Sequence, residues 1–146
     1  MLNKFIFILA LLLLSRCPVA LAEDMRFVDA DGFTGYYVDA GTIVIAPLAE
    51  NLPEGTDPED ISDARVAVVK ANQNKRYLYQ IRFNRRQETY EILSSEVQAY
   101  DTREVLEKSG LGRMPRHYGI SSPLHSIVAY IYEWQAEQIK ASQKSY

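Results

Sequence analysis

The sequence predicts an α+β domain: a small antiparallel β-meander with a C-terminal amphipathic helix packed on one face. Three observations predict it. Residues 76–83 (RYLYQIRF) alternate strictly, which places Tyr77, Tyr79, Ile81 and Phe83 on one side of an extended segment. Polar stretches, Asn72-Gln73-Asn74-Lys75 and Asn84-Arg85-Arg86-Gln87, flank that segment and read as turns to neighbouring strands. After Ser121-Ser122-Pro123, the apolar residues Leu124, Ile127, Val128 and Ile131 recur at the i, i+3, i+4, i+7 spacing of one helix face.

The elements follow in order. Residues 1–22 read as a secretory leader: Lys4 supplies the positive start, residues 5–14 are an unbroken apolar run, and Val19-Ala20-Leu21-Ala22 offers small residues for cleavage after Ala22. The run is shorter than the roughly 20 residues a membrane span needs. Cys17 follows the apolar run as a lipid-attachment cysteine would. Arg16 stands before it, where that processing takes a small residue, so Cys17 is expected to leave with the leader. The remaining 124 residues then contain no cysteine, which suits an oxidising compartment.

Residues 23–137 read as one domain. Met25-Arg26-Phe27-Val28-Asp29 and FTGYYVD (residues 33–39) make a hairpin about the Asp31-Gly32 turn signal, and Thr42-Ile43-Val44-Ile45 a short third strand. Residues 46–63, with Pro47, Pro53, Pro58 and six acidic side chains, read as an exposed acidic loop. ARVAVVK (64–70), residues 76–83 and ETYEILSSEVQAY (88–100) form the meander, with a bulge expected near Ser94-Ser95. DTREVLEKS (101–109) reads as a short helix, or alternatively an extended loop; residues 110–120 are irregular. Ser121 or Ser122 caps the final helix with Pro123 in its first turn, and residues 138–146 form a frayed tail.

Charge falls in blocks. Residues 23–63 hold eleven acidic side chains and one basic; residues 64–87 hold seven basic and no acidic ones. The favoured reading is internal: the two blocks lie side by side and neutralise one another. The functional reading is an exposed basic surface for an anionic partner, carried by Lys75, Arg82, Arg85 and Arg86.

Motifs for chemistry are weak. Asp29-Ala30-Asp31-Gly32 lacks the ligand spacing of a calcium loop. Ser121 and Ser122 near His125 lack a nucleophile elbow, helix capping accounts for them, and His125 is expected on the solvent side. His117 is expected at the surface. Glu88 and Glu96 on one strand would stand about 27 Å apart, too far for paired carboxylate catalysis. Cations interleaved with Tyr77, Tyr79 and Phe83 superficially suit single-stranded nucleic acid, but the alternation puts the rings in a core and the overall charge is negative. No enzyme activity, metal, cofactor or nucleic-acid partner is expected, and no membrane span beyond the leader.

GYYVDAGTI (35–43), Lys75-Arg76-Tyr77, Ile81-Arg82-Phe83, Tyr90-Glu91-Ile92-Leu93-Ser94, Tyr100 and Ile120-Ser121-Ser122-Pro123 occur in an order that resembles the small secreted proteins of the bacterial surface-adhesin E-like class. The resemblance covers most of residues 23–137. It implies a small antiparallel sheet with a packed helix, in the periplasm or at the cell surface. Members of that class often carry a cysteine in the strand matching residues 81–83 and another in the last helix. Here Phe83 and Tyr132 or its neighbours stand in those places. The expectation is therefore an exported, non-enzymatic binding module, adhesin-like, with a protein or anionic surface as partner. A self-associating envelope protein, as a homodimer, is the second reading; an enzyme without a recognisable motif is the third.

Overall fold

A computed structural model of the chain describes residues 22–47 and 52–144. The expected leader, with Cys17 and all but the last residue of the cleavage motif, lies outside the described residues.

The chain forms an antiparallel sheet and one C-terminal helix, the α+β architecture expected. Its strands are β1 (Met25–Asp31), β2 (Thr34–Asp39), β3 (Val44–Ile45), β4 (Ile61–Lys70), β5 (Lys75–Asn84), β6 (Thr89–Ala99), β7 (Val105–Ser109) and β8 (Arg116–His117); the helix α1 spans Pro123–Gln143. The spatial order is β1-β2-β4-β5-β6-β7. Short β3 extends the line of β2 along β4, pairing Val44 with Asp63, and β8 extends the line of β7 along β6, pairing Thr89 with His117. Gly32 closes the β1–β2 turn at φ +56°, a conformation glycine adopts without strain.

The helix face of the sheet carries Val38, Ala64, Val66, Ile81 and Phe83, which cluster with Tyr118, Ile127, Val128 and Ile131. Phe83, Ile127 and Ile131 are fully buried, each contributing about 1.5–3 kcal/mol relative to an exposed side chain. Ser122 caps α1: its Oγ accepts from the Leu124 N–H at 3.2 Å, with Pro123 in the first turn. Two polar contacts dock the helix. Ser126 Oγ donates to Asp29 Oδ2 at 2.8 Å, and the Tyr132 hydroxyl donates to the Glu59 carbonyl at 3.0 Å.

Several expectations are corrected. Residues 105–109 are strand β7, not helix: Val105 and Leu106 are exposed and offer no stripe to bury, and the segment instead satisfies its backbone on the free edge of β6. The loop assigned to 46–63 is shorter, because Pro58–Asp60 form a 3-10 turn and Ile61 already pairs with Asn84. Residues 138–143 are not frayed. They lack glycine and proline and extend α1 to Gln143, although exposed. The third strand shrinks to Val44–Ile45, because Ala40–Thr42 make a 3-10 turn. The bulge expected near Ser94-Ser95 is present, at Leu93, where the partners of Gln80 and Ile81 jump from Ser94 to Ile92. His125 is half-buried rather than solvent-facing, its ring 6.3 Å from that of Tyr118.

Candidate functional site

β5 alternates as the sequence predicts, so Tyr77, Tyr79, Ile81 and Phe83 face the helix side. α1 covers only part of that row. Phe83 and Ile81 are buried, whereas Tyr77 and Tyr79 are only partly so. The helix packs on this face as expected but leaves the Tyr77 and Tyr79 end of the row uncovered.

The uncovered part is a groove of about 480 Å³. β4 and β5 make its floor, with Val68 opposite Tyr77 and Val66 opposite Tyr79. Tyr36 of β2, which pairs with Val68, forms one wall; Tyr90 and Ile92 of β6 form the other. The first turn of α1, with Pro123 and Leu124, closes one end, and Lys70 reaches in from the end of β4. The rings of Tyr77 and Tyr79 lie parallel, 6° apart, with centroids separated by 6.4 Å. Lys70 Nζ stands 5.9 Å from the centre of the Tyr77 ring. Phe33, at the turn beyond the Gly35–Val69 pair, and Ile120, just before the helix, are exposed large apolar side chains on segments bordering the groove.

Burial raises the pKa of Tyr79, reinforced by Tyr77 and Tyr90 and opposed by Arg113. Burial also raises that of Tyr36, with the charges of Asp31 and Asp29 adding to it. The hydroxyls of Tyr36, Tyr77, Tyr79 and Tyr90 have no hydrogen-bond partner among the described residues, unlike that of Tyr132. The groove is thus lined by four tyrosines whose hydroxyls have no partner among the described residues.

The other face of the sheet is a charged network. Arg76, almost wholly buried, donates from Nη2 to Glu23 Oε2 at 2.6 Å and from Nη1 to Gln98 Oε1 at 2.9 Å. Arg65 approaches the same Glu23 at 3.5 Å. Lys108 pairs with Glu96 at 3.2 Å. Burial pushes the Glu96 carboxyl up, but hydrogen bonds from Gln98 and Lys108, with the positive charges of Lys108 and Arg65, outweigh it and hold the pKa below its ordinary value.

The cations nominated from sequence do not form one surface. Arg82 makes a two-pronged bridge to Asp63 at 2.8 and 2.7 Å. Arg85 pairs with Asp60 at 3.0 Å and lies 4.0 Å above the Tyr132 ring. Lys75 and Arg86 are exposed, but they stand beyond opposite ends of the β5 row, about 30 Å apart at the strand rise. Arg65, Arg76, Arg82 and Arg85 of the basic block are therefore each bonded to an acidic side chain of the preceding block. The internal reading of the charge blocks is the one the fold realises.

Among the described residues, no group of three or more His, Cys, Asp and Glu side chains is placed to hold a metal ion, and no helix is long and apolar enough to cross a membrane. No family model matches the chain, and no curated protein or solved structure is significantly similar to it. Sequence reasoning treats Tyr77 and Tyr79 as core and does not single out Tyr36, Tyr90 or Lys70. The usable signal is length: a stripe of eight helical residues spans about 12 Å, and a ten-residue strand about 33 Å.

Proposed function

We propose that the chain is an exported, non-enzymatic binding module of the bacterial cell envelope, adhesin-like in the broad sense, and that the tyrosine groove is its binding surface. The observation that carries this reading is the groove itself: an apolar floor that includes the partly buried, parallel rings of Tyr77 and Tyr79, beside a capped helix start. Apolar concavities with a few convergent polar groups are the usual seats of ligands. The leader-like residues 1–22 and the resemblance to the surface-adhesin E-like class support export and envelope location. Lys75 and Arg86 remain as separate exposed charges that can steer an anionic surface without forming its seat.

Two measurements test the reading. Fractionation of the native host with mass spectrometry of the mature N-terminus is expected to find Glu23 first, in the periplasm or at the surface; an uncleaved cytoplasmic chain contradicts it. Binding of the processed protein to envelope fractions is expected to fall on Tyr77→Ala and Tyr79→Ala. Undiminished binding removes the groove from consideration.

A second reading, a self-associating envelope component, is favoured by the outer edge of β7, which pairs with β6 on one side only and exposes Val105 and Leu106. Light scattering separates the two, since a strict monomer at high concentration excludes self-association.

A further inference from the structure

We infer that β7 pairs antiparallel with β7 of a second copy of this chain, joining two sheets edge to edge. This rests on the second reading above, self-association, and names its contact.

The two edges of the sheet differ. On β1 the Ala30 N–H is taken by Asp29 Oδ1 at 2.8 Å, and Arg26, Asp29 and Asp31 add charge along the strand. Charges and self-satisfied donors blunt an edge against pairing. β7 instead exposes Val105 and Leu106. The chain beyond it keeps to the same side of β6, where the Arg113 N–H donates to the Ile92 carbonyl, and exposes Leu111 and Met114. Large apolar side chains thus line one edge and not the other.

The backbone of the β7 edge selects the partner. Ala99 of β6 faces β7: its N–H donates to the Glu104 carbonyl at 2.8 Å, and its carbonyl accepts from the Arg103 N–H at 3.0 Å. Antiparallel strands alternate, so Val97 and Ser95 also bond toward β7, whereas Gln98 and Glu96 bond toward β5. The partners of Gln98 and Glu96 are Val105 and Lys108. Those two residues therefore turn their N–H and C=O groups outward, away from the sheet. In a regular strand such residues are two positions apart. Here they are three apart, because the register shift sets Leu106 and Glu107 in one place opposite Val97. A regular strand from another protein meets one of the two and misses the other. A second copy carries the same spacing. A two-fold axis perpendicular to the sheet sets Val105 opposite Lys108 of the second copy, and Lys108 opposite its Val105, with each pair exchanging two hydrogen bonds.

The side chains agree with this register. Val105 and Lys108 share a face, as their partners Gln98 and Glu96 do. Lys108 is held by Glu96 at 3.2 Å, so it brings no unpaired charge to the contact, and its stem can cover Val105 of the second copy. The same axis keeps both helices on one side of the joined sheet. Both tyrosine grooves then face one way, with the two β5 strands about 24 Å apart at the usual strand spacing, so a dimer meets a surface through two sites. The contact spans two strands of five residues, which makes the dimer weak and concentration-dependent.

Sedimentation equilibrium of the processed protein recovered from its host is expected to show monomer and dimer in exchange. Val105→Pro removes an outward N–H and leaves the ladder to β6 intact, so it should weaken dimerisation about tenfold or more without changing thermal unfolding of the monomer. Cysteines read the register independently and keep the test valid if the proline variant fails to fold, since residues 23–146 contain none. Val105→Cys combined with Lys108→Cys should give a disulfide-linked dimer on mild oxidation. Val105→Cys alone should not, because the two copies of position 105 do not stand opposite one another. A strict monomer at high concentration overturns the inference together with the self-association reading. A dimer that is insensitive to Val105→Pro and is not trapped by the paired cysteines overturns the edge contact alone and leaves self-association standing.

Discussion

Arg76 and Glu23 are joined at 2.6 Å across 53 positions of sequence. The bridge ties the entry of the folded chain to the middle of the sheet, over the face opposite the helix. Its arginine is almost wholly buried and its glutamate is partly exposed. Removing the glutamate would leave the guanidinium with Gln98 as its remaining hydrogen-bond partner.

Glu23→Ala is accordingly expected to cost about 1.5–3 kcal/mol, the range for hydrogen bonds to charged groups. Urea unfolding checks this. Arg76→Met, which removes the buried charge as well, should cost less than Glu23→Ala. The opposite order would show that packing of the arginine stem, not its charge, dominates.

Glu96 gives a pH signature. Its folded pKa lies below the ordinary 4.5, so its contribution to stability is full above that value and is lost as pH falls through the lowered folded value. The stability difference between the unmodified protein and Glu96→Gln should shrink across that acidic window and be constant above it. A difference that grows on acidification contradicts the assignment.

Ser62 is fully buried on β4; its Oγ has the Tyr132 hydroxyl as polar neighbour but no well-formed hydrogen bond. Ser62→Ala is expected to be neutral or to stabilise by up to about 1 kcal/mol, because it removes a polar group that burial leaves unsatisfied. A loss above that size would reveal a bonded hydroxyl.

Tyr77 and Phe83 share one face of β5 but differ in cover, and their alanine variants should differ accordingly. Phe83→Ala is expected to cost about 3–5 kcal/mol, as for other fully buried aromatics. Tyr77→Ala should cost about 1 kcal/mol or less in thermal unfolding. Equal costs would mean that the helix seals the whole row.

Much of this fold is legible in the sequence because local signals and burial agree. The alternation of Tyr77, Tyr79, Ile81 and Phe83, the Asp31-Gly32 turn and the Ser122-Pro123 cap all appear where patterning places them. Residues 101–109 mislead because Glu104, Leu106, Glu107 and Lys108 favour helix locally, whereas the empty edge of β6 decides the outcome. The basic surface dissolves because Asp60 and Asp63 are read as loop, although Asp63 sits opposite Arg82 in the β4–β5 register. The groove escapes because alternation reports which side chains share a face, and not how far a helix of shorter rise extends over them.

Tyrosine accessibility tests the central claim most directly. Hydroxyl-radical footprinting of the processed protein, free and bound to its envelope fraction, reads each ring separately. Tyr77 and Tyr79 are expected to react readily in the free protein and to be protected on binding, with Tyr118 protected in both. Tyr77 and Tyr79 as unreactive as Tyr118 in the free protein, or equally reactive with and without the envelope fraction, would contradict the account.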